Sequence, residues 1–192
     1  MQKSARGFTL VEILIAITIL AIISAVGYAS YSQAQMLGRD AKRKSDLRAI
    51  ALALEIYKQE NGIYPVTIDS GGASVITSCN TAGGWCTSAN STTPWIPPLN
   101  SNYINTLPKD PLANTTNIWA QNGGTTGYAY VSDARCPQGS GGWFALVARL
   151  ENSTDSERIG ANRSQHFWCQ AGTNLSTSWS DNIFYLSSNN PQ

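Results

Sequence analysis

Residues Phe8 to Tyr28 read FTLVEILIAITILAIISAVGY, an apolar run in which Glu12 is the single formal charge. At ~1.5 Å per residue this segment spans roughly 30 Å as an α-helix, about one bilayer hydrocarbon core. Only MQKSARG precedes it, with Lys3 and Arg6 as cations. A cationic leader before an apolar segment predicts an N-terminus held in the cytoplasm and a C-terminal remainder that is exported. A removable secretory signal has a shorter apolar stretch of about 7–15 residues and an A-x-A-like cleavage site. Here the stretch is longer and no A-x-A follows it. On hydropathy alone an uncleaved signal anchor with no further meaning stays open as the lesser alternative.

The rest of the composition excludes several classes of function. The chain has 192 residues, enough for one domain plus an extra element. Lys and Arg number 13 against 12 Asp and Glu, so neither a nucleic-acid coat nor an acidic tail is its main business. His166 is the single histidine, which disfavours sites built from several imidazoles. There is no G-x-S-x-G, no H-E-x-x-H and no phosphate loop, so the chain is not expected to be an enzyme.

The junction before the apolar run reads Arg6-Gly7-Phe8-Thr9-Leu10-Val11-Glu12. It resembles the processing signal of type IV pilins and type II secretion pseudopilins: a short basic leader, a Gly, then Phe-Thr-Leu-x-Glu and a long apolar helix. The resemblance implies cleavage between Gly7 and Phe8 by a prepilin peptidase, N-methylation of Phe8, and an assembly role for Glu12. Loss of residues 1–7 would remove Lys3 and Arg6 and take the net charge from +1 to −1. Physics gives Glu12 weight of its own. A carboxylate inside a bilayer helix costs about 2.5–3.5 kcal/mol at the helix centre, so it needs neutralising or pairing. The candidate partner is the new amine of Phe8 on a neighbouring subunit, an unlike charge in low dielectric. The bland alternative is a carboxylate snorkelling to the interface.

No Pro occurs from Tyr28 to Asn61, and Gln33–Glu60 is rich in good helix formers. Leu47, Ile50, Leu54 and Tyr57 recur with helical spacing and predict one buried stripe. Asn61-Gly62 followed by Pro65 predicts the stop, giving a helix from Phe8 to about Glu60 in which Gly27 and Gly38 mark places to bend. Arg39, Lys42, Arg43, Lys44 and Arg48, tempered by Asp40 and Asp46, read first as a solvated face with i,i+4 pairs such as Asp40–Lys44. Salt bridges between subunits are the second reading, and a nucleic-acid patch the least favoured. Gly38–Pro65 is also similar to the segment that follows the membrane helix in major pseudopilins. Arg39, Ala41, Asp46, Leu47, Ile50, Leu54, Tyr57 and Asn61-Gly62-Ile63-Tyr64-Pro65 fill that pattern. Leu107-Pro108-Lys109-Asp110-Pro111 and Tyr128-Ala129-Tyr130 resemble its later turn and first strand.

Gly127–Ser132, Trp143–Leu150, Gln165–Cys169 and Ile183–Leu186 are β-prone runs punctuated by Gly, Ser and Asn. They predict three or four antiparallel strands whose inner face covers the helical stripe. The fold class expected is therefore α+β, a long N-terminal helix packed on a C-terminal antiparallel sheet, as in the type IV pilin fold. The organisation expected is a leader at 1–7, a membrane or filament-core helix at 8–28, its amphipathic continuation at 29–61, and a head at 62–192. Within the head, 67–105 reads as a variable surface loop and about 127–187 as the sheet.

Cys79, Cys86, Cys136 and Cys169 allow three disulfide pairings, and export favours their oxidation. Proximity favours Cys79–Cys86, leaving Cys136–Cys169, whose position resembles the disulfide-bounded C-terminal region of many pilins. No cofactor is expected. Calcium, which several major pseudopilins bind, would have to draw on Asp155, Glu157 and Asp181, and these lack a dense D-x-D arrangement. The tryptophans read as packing rather than as a carbohydrate surface.

The function expected is a structural subunit that polymerises through its helix into a type IV pilus-like filament. A type II secretion pseudopilin is the alternative, and a non-polymerising membrane-anchored binding module the third. The partners implied are copies of the chain, minor pilins, the prepilin peptidase, an inner-membrane platform protein, an assembly ATPase and the membrane before assembly.

Overall fold

The computed structural model describes residues 7–67, 75, 85–88, 95–99, 102–112, 127–134, 141–158 and 183–188. The chain divides into two compact units, Met1–Gly38 and Arg39–Gln192. One helix, α1 (Leu10–Asn61, 52 residues), belongs to both.

Helix α1 starts two residues later than expected because Thr9 caps it. The Thr9 hydroxyl accepts from the Glu12 amide at 3.3 Å, and Glu12 Oε2 accepts from the Thr9 amide at 2.9 Å. This is the reciprocal capping box of a T-x-x-E sequence. The far end falls where expected: Gly62 adopts φ 79° and its amide bonds to the Lys58 carbonyl at 2.7 Å. A left-handed residue is cheap only for glycine, which is why the helix stops here. The helix runs unbroken through Gly27 and Gly38.

In the second unit α1 is followed by β1 (Cys86–Thr87), β2 (Tyr128–Val131), β3 (Ala145–Arg149) and β4 (Ile183–Ser187). They form one antiparallel sheet in the order β1-β2-β3-β4. The register sets Tyr128 opposite Ala148, Tyr130 opposite Leu146, and Phe184 opposite Ala148. This is the α+β architecture expected. Leu47, Ile50 and Leu54 of α1 are fully buried, and Tyr57 packs against the same core, together with Tyr128, Tyr130, Leu146, Ala148, Phe184 and Leu186. Ala129, Val131, Ala145 and Val147, on the opposite face of the sheet, are buried as well. Burial on both faces explains why these strands read as continuous apolar runs rather than alternating ones.

Segment 67–105 is expected as a variable surface loop, and several of its described residues are buried. Trp95, Ile96 and Leu99 are buried in the main cluster, and Cys86–Thr87 forms the edge strand. Trp95 also donates its indole N–H to the Pro108 carbonyl at 3.1 Å. Trp85 and Trp143 are buried too, as packing requires. The Asn61–Pro65 motif ties the helix end to the sheet. The Tyr64 amide donates to the Gly141 carbonyl and the Tyr130 hydroxyl to the Pro65 carbonyl, both at 2.7 Å. The expected strand Gln165–Cys169, and with it His166, lies outside the described residues.

Candidate functional site

The first unit carries the processing and assembly residues. Gly7 and Phe8 are exposed ahead of α1, and Phe8 shows 84 % of its surface. Every large apolar residue from Phe8 to Val26 is at least 51 % exposed. Covering such side chains stabilises by roughly 1.5–3 kcal/mol each, so this surface calls for a membrane or a partner. Inside it the Thr18 hydroxyl is satisfied by its own helix, donating to the Leu14 carbonyl at 2.7 Å, as does Ser30 just beyond it to the Val26 carbonyl at 3.3 Å. This is the one stretch among the described residues that is long and apolar enough to cross a membrane.

Glu12 has a local role that the sequence reading passed over. Besides the Thr9 amide, its Oε2 accepts the Thr9 hydroxyl at 2.8 Å. The signal was visible as a Thr-x-x-Glu string opening an apolar helix. Capping positions the carboxylate at the helix N-terminus, where the backbone dipole also favours negative charge.

The second unit resolves the basic cluster, and not as a solvated face. Arg43 is completely buried and is ringed by three carboxylates. Its Nε and Nη2 donate to Asp110 at 2.7 and 3.1 Å, and its Nη1 donates to Asp40 and Glu151, both at 2.6 Å. Arg39 grips Glu151 through Nε at 2.8 Å and Nη2 at 2.6 Å. Asp40 does not pair with Lys44. It instead accepts the backbone amides of Glu151 at 3.0 Å and Asn152 at 2.8 Å, fixing the chain just after β3. Lys44 reaches Asp155 and Glu157, and Arg48 reaches Glu157 at 2.7 Å. Lys42–Asp46 is the i,i+4 pair that forms, and Asp46 also accepts the Tyr128 hydroxyl at 2.8 Å. The long-range partners are acids from the head, which sequence spacing could not name because they lie 67 to 113 residues away.

These contacts polarise the groups strongly. Burial works against the Arg43 charge, but hydrogen bonds from Asp110 and Glu151 outweigh it and hold its pKa above the ordinary guanidinium value. Hydrogen bonds from Arg39, opposed by burial and aided by Arg43, hold the Glu151 carboxyl below the usual range. Burial, then the bond to Asp46, raises the Tyr128 hydroxyl. Buried ion pairs add little net stability but are costly to break, so their main effect is to specify register. A slip of α1 by one turn would keep an apolar stripe in contact with the sheet yet strand Arg43 away from its carboxylates.

The described residues do not fit a resident calcium ion. Lys44 Nζ already lies against Asp155 and Glu157, and no cluster of three metal-binding side chains occurs among the described residues. Asp181 lies outside them. Cys86 is in a disulfide. Cys79, Cys136 and Cys169, needed to decide between the pairings, also lie outside the described residues.

Comparison with known proteins bears on both units. Residues 2–28 match the prokaryotic N-terminal methylation motif. The type II secretion system core protein G of Escherichia coli K12 is 31 % identical over 114 residues, which cover 57 % of this chain and 68 % of that protein. The Vibrio cholerae protein of the same name is 33 % identical over 122 residues, covering 59 % and 69 %. That of Pseudomonas aeruginosa is 35 % identical over 66 residues, covering 34 % of this chain and 46 % of its own length. No solved structure matches the chain significantly.

Proposed function

We propose, given that the chain belongs to the family of type II secretion system core protein G, that it is a pseudopilin: a structural subunit that polymerises through α1 rather than an enzyme. The family relationship supports this reading over the type IV pilus-like filament that the sequence leads us to expect first. The carrying observation is the apolar half of α1, exposed from Phe8 to Val26 behind a methylation motif.

In this reading the prepilin peptidase cuts the Gly7–Phe8 bond on the cytoplasmic side and methylates the new Phe8 amine. Before assembly the helix sits in the inner membrane with the head outside the cytoplasm. An ATPase acting through a membrane platform then drives extraction, and neighbouring copies replace lipid around residues 8–26. Glu12, already turned toward the helix start by Thr9, accepts the Phe8 amine of the next subunit and sets the axial register. The ionic ring around Arg43 holds the Arg39–Asn61 part of α1 at one position on the sheet, so axial force on this part of the helix moves the head without slippage.

Mass spectrometry of the membrane fraction of the native cell, with a secretion assay on a cell from which the chain is deleted, tests this. The expected outcome is a mature chain beginning at methylated Phe8 and a loss of protein secretion. Long surface filaments built from the chain, with secretion intact, would restore the pilus reading. A chain still beginning at Met1 would overturn both.

A further inference from the structure

The turn after β3 is an acidic loop closed on a cation from the chain itself. Asp155 and Glu157 lie on one side of residues 151–158. Hydrogen bonds within the loop shape it, among them the Thr154 amide to the Asn152 side chain at 3.0 Å, the Glu157 amide to Asp155 Oδ1 at 2.9 Å, and the Arg158 amide to the Asp155 carbonyl at 3.4 Å. Lys44 Nζ stands 2.7 and 2.6 Å from the two Asp155 oxygens and 2.5 Å from Glu157 Oε2. An ammonium has three donors, and here three carboxylate oxygens converge on it. Only 13 % of the Lys44 side chain is exposed. The Phe184 ring, 5.8 Å from Nζ, adds a second favourable face, and Arg48 over the same ring takes the other Glu157 oxygen.

A calcium ion takes six to eight oxygens at about 2.3–2.6 Å, with carboxylates at its centre. It would have to displace the ammonium from the same oxygens. We infer that in this chain Lys44 of α1 fills the position for which the pseudopilin resemblance implies calcium, so that the loop 151–158 is closed without a divalent cation. Two consequences separate this from a merely favourable surface pair. The folded chain is indifferent to calcium and to chelators, and the loop depends on the charge of residue 44 rather than on its stem.

The test uses the full-length chain in detergent micelles, melted under far-UV circular dichroism with millimolar calcium chloride or with excess EGTA. The two midpoints are expected to agree within ~1 °C, because a ligand that does not bind the native state does not shift its unfolding. A midpoint several degrees higher in calcium would overturn the inference, as would one equivalent of calcium surviving gel filtration with the protein. In EGTA, Lys44→Met is expected to lower the midpoint by roughly 5 °C, because Asp155 loses its cation and Glu157 keeps only Arg48. Adding Asp155→Asn to Lys44→Met is expected to recover part of that loss, since the two substitutions act on one interaction. A Lys44→Met chain that melts like the wild type would show that the ammonium is not what closes the loop. Should Lys44→Met alone fail to fold, the double variant and the calcium comparison on the unaltered chain still decide. Secretion enters none of these measurements, so their outcome is independent of the pseudopilin reading.

Discussion

The two parts of α1 are made from the same backbone and end in opposite situations. From Arg39 to Tyr57 the helix meets partners within its own unit: Leu47, Ile50 and Leu54 are buried, Arg43 is ringed by acids, and Lys44 and Arg48 are matched by Asp155 and Glu157. From Phe8 to Val26 the side chains are apolar and exposed, and the polar ones turn back on the helix or on Thr9. One part is self-sufficient, whereas the other is a surface whose energy is released only when something outside the chain covers it. Fold and assembly are thus encoded in separate stretches of one helix, and substitutions should divide accordingly.

The sharpest division is expected at Arg43. Arg43→Met leaves Asp40 and Asp110 buried without their cation and should cost about 3–5 kcal/mol, a midpoint fall on the order of 10 °C in a thermal melt. Ile17→Ala, in the exposed stretch, should move the same melt by less than ~0.5 kcal/mol. Equal effects at the two positions would end the distinction drawn here. A matched pair makes the comparison stricter. Leu54→Ala removes a fully buried side chain and should cost about 2–5 kcal/mol, while Leu14→Ala, with the side chain 55 % exposed, should leave chemical denaturation almost unchanged.

Gly141 sharpens the self-sufficient side. It holds φ 67°, and an added Cβ would lie 2.7 Å from both Ile63 Cβ and the Tyr64 carbonyl oxygen. Gly141→Ala should cost about 1–3 kcal/mol, read from the denaturation midpoint, by loosening the helix end from the sheet.

Acid offers a smaller and more selective probe. Arg39 and Arg43 depress the folded-state pKa of Glu151. Its contribution is therefore complete above the unfolded carboxylate value of about 4.3 and is lost as pH falls through the lower folded value. Stability should be level from pH 7 to about 5 on this account and then decline, and Glu151→Gln should flatten part of that decline. The smallest effect belongs to Arg48, whose pair with Glu157 leaves the two side chains 46 % and 34 % exposed. Arg48→Gln should cost at most ~1 kcal/mol, and less in high salt, when measured by denaturant titration.

Much of this was legible in the residues. The apolar run, the helix stop at Asn61-Gly62, the stripe Leu47-Ile50-Leu54 and the strands at 128–131, 145–149 and 183–187 all follow local periodicity or turn chemistry, which depend on near neighbours. The capping box of Thr9 and Glu12 was equally local, but it was hidden behind the charge argument for Glu12. The Gly, Pro and Ser content of segment 67–105 signals a loop. Trp95, Ile96 and Leu99 nevertheless close the core, since bulk and burial do not require regular secondary structure.

The basic cluster marks the boundary between the two kinds of knowledge. Helical spacing from Arg39 to Arg48 is a property of the chain, as is the presence of Asp110, Glu151, Asp155 and Glu157 farther on. Which acid meets which base is not, because ion pairing is decided by distances of 3 Å between groups that the chain separates by as much as 113 residues. Residues alone determined that an apolar helix precedes a head, where that helix ends and which stripe it buries. Only the tertiary structure decided that Arg43 is internal, that Asp40 anchors a turn rather than Lys44, and that Lys44 closes an acidic loop. Hydrophobic periodicity selects a face, while register along that face is selected by directional, charged contacts that exist only once the sheet has formed.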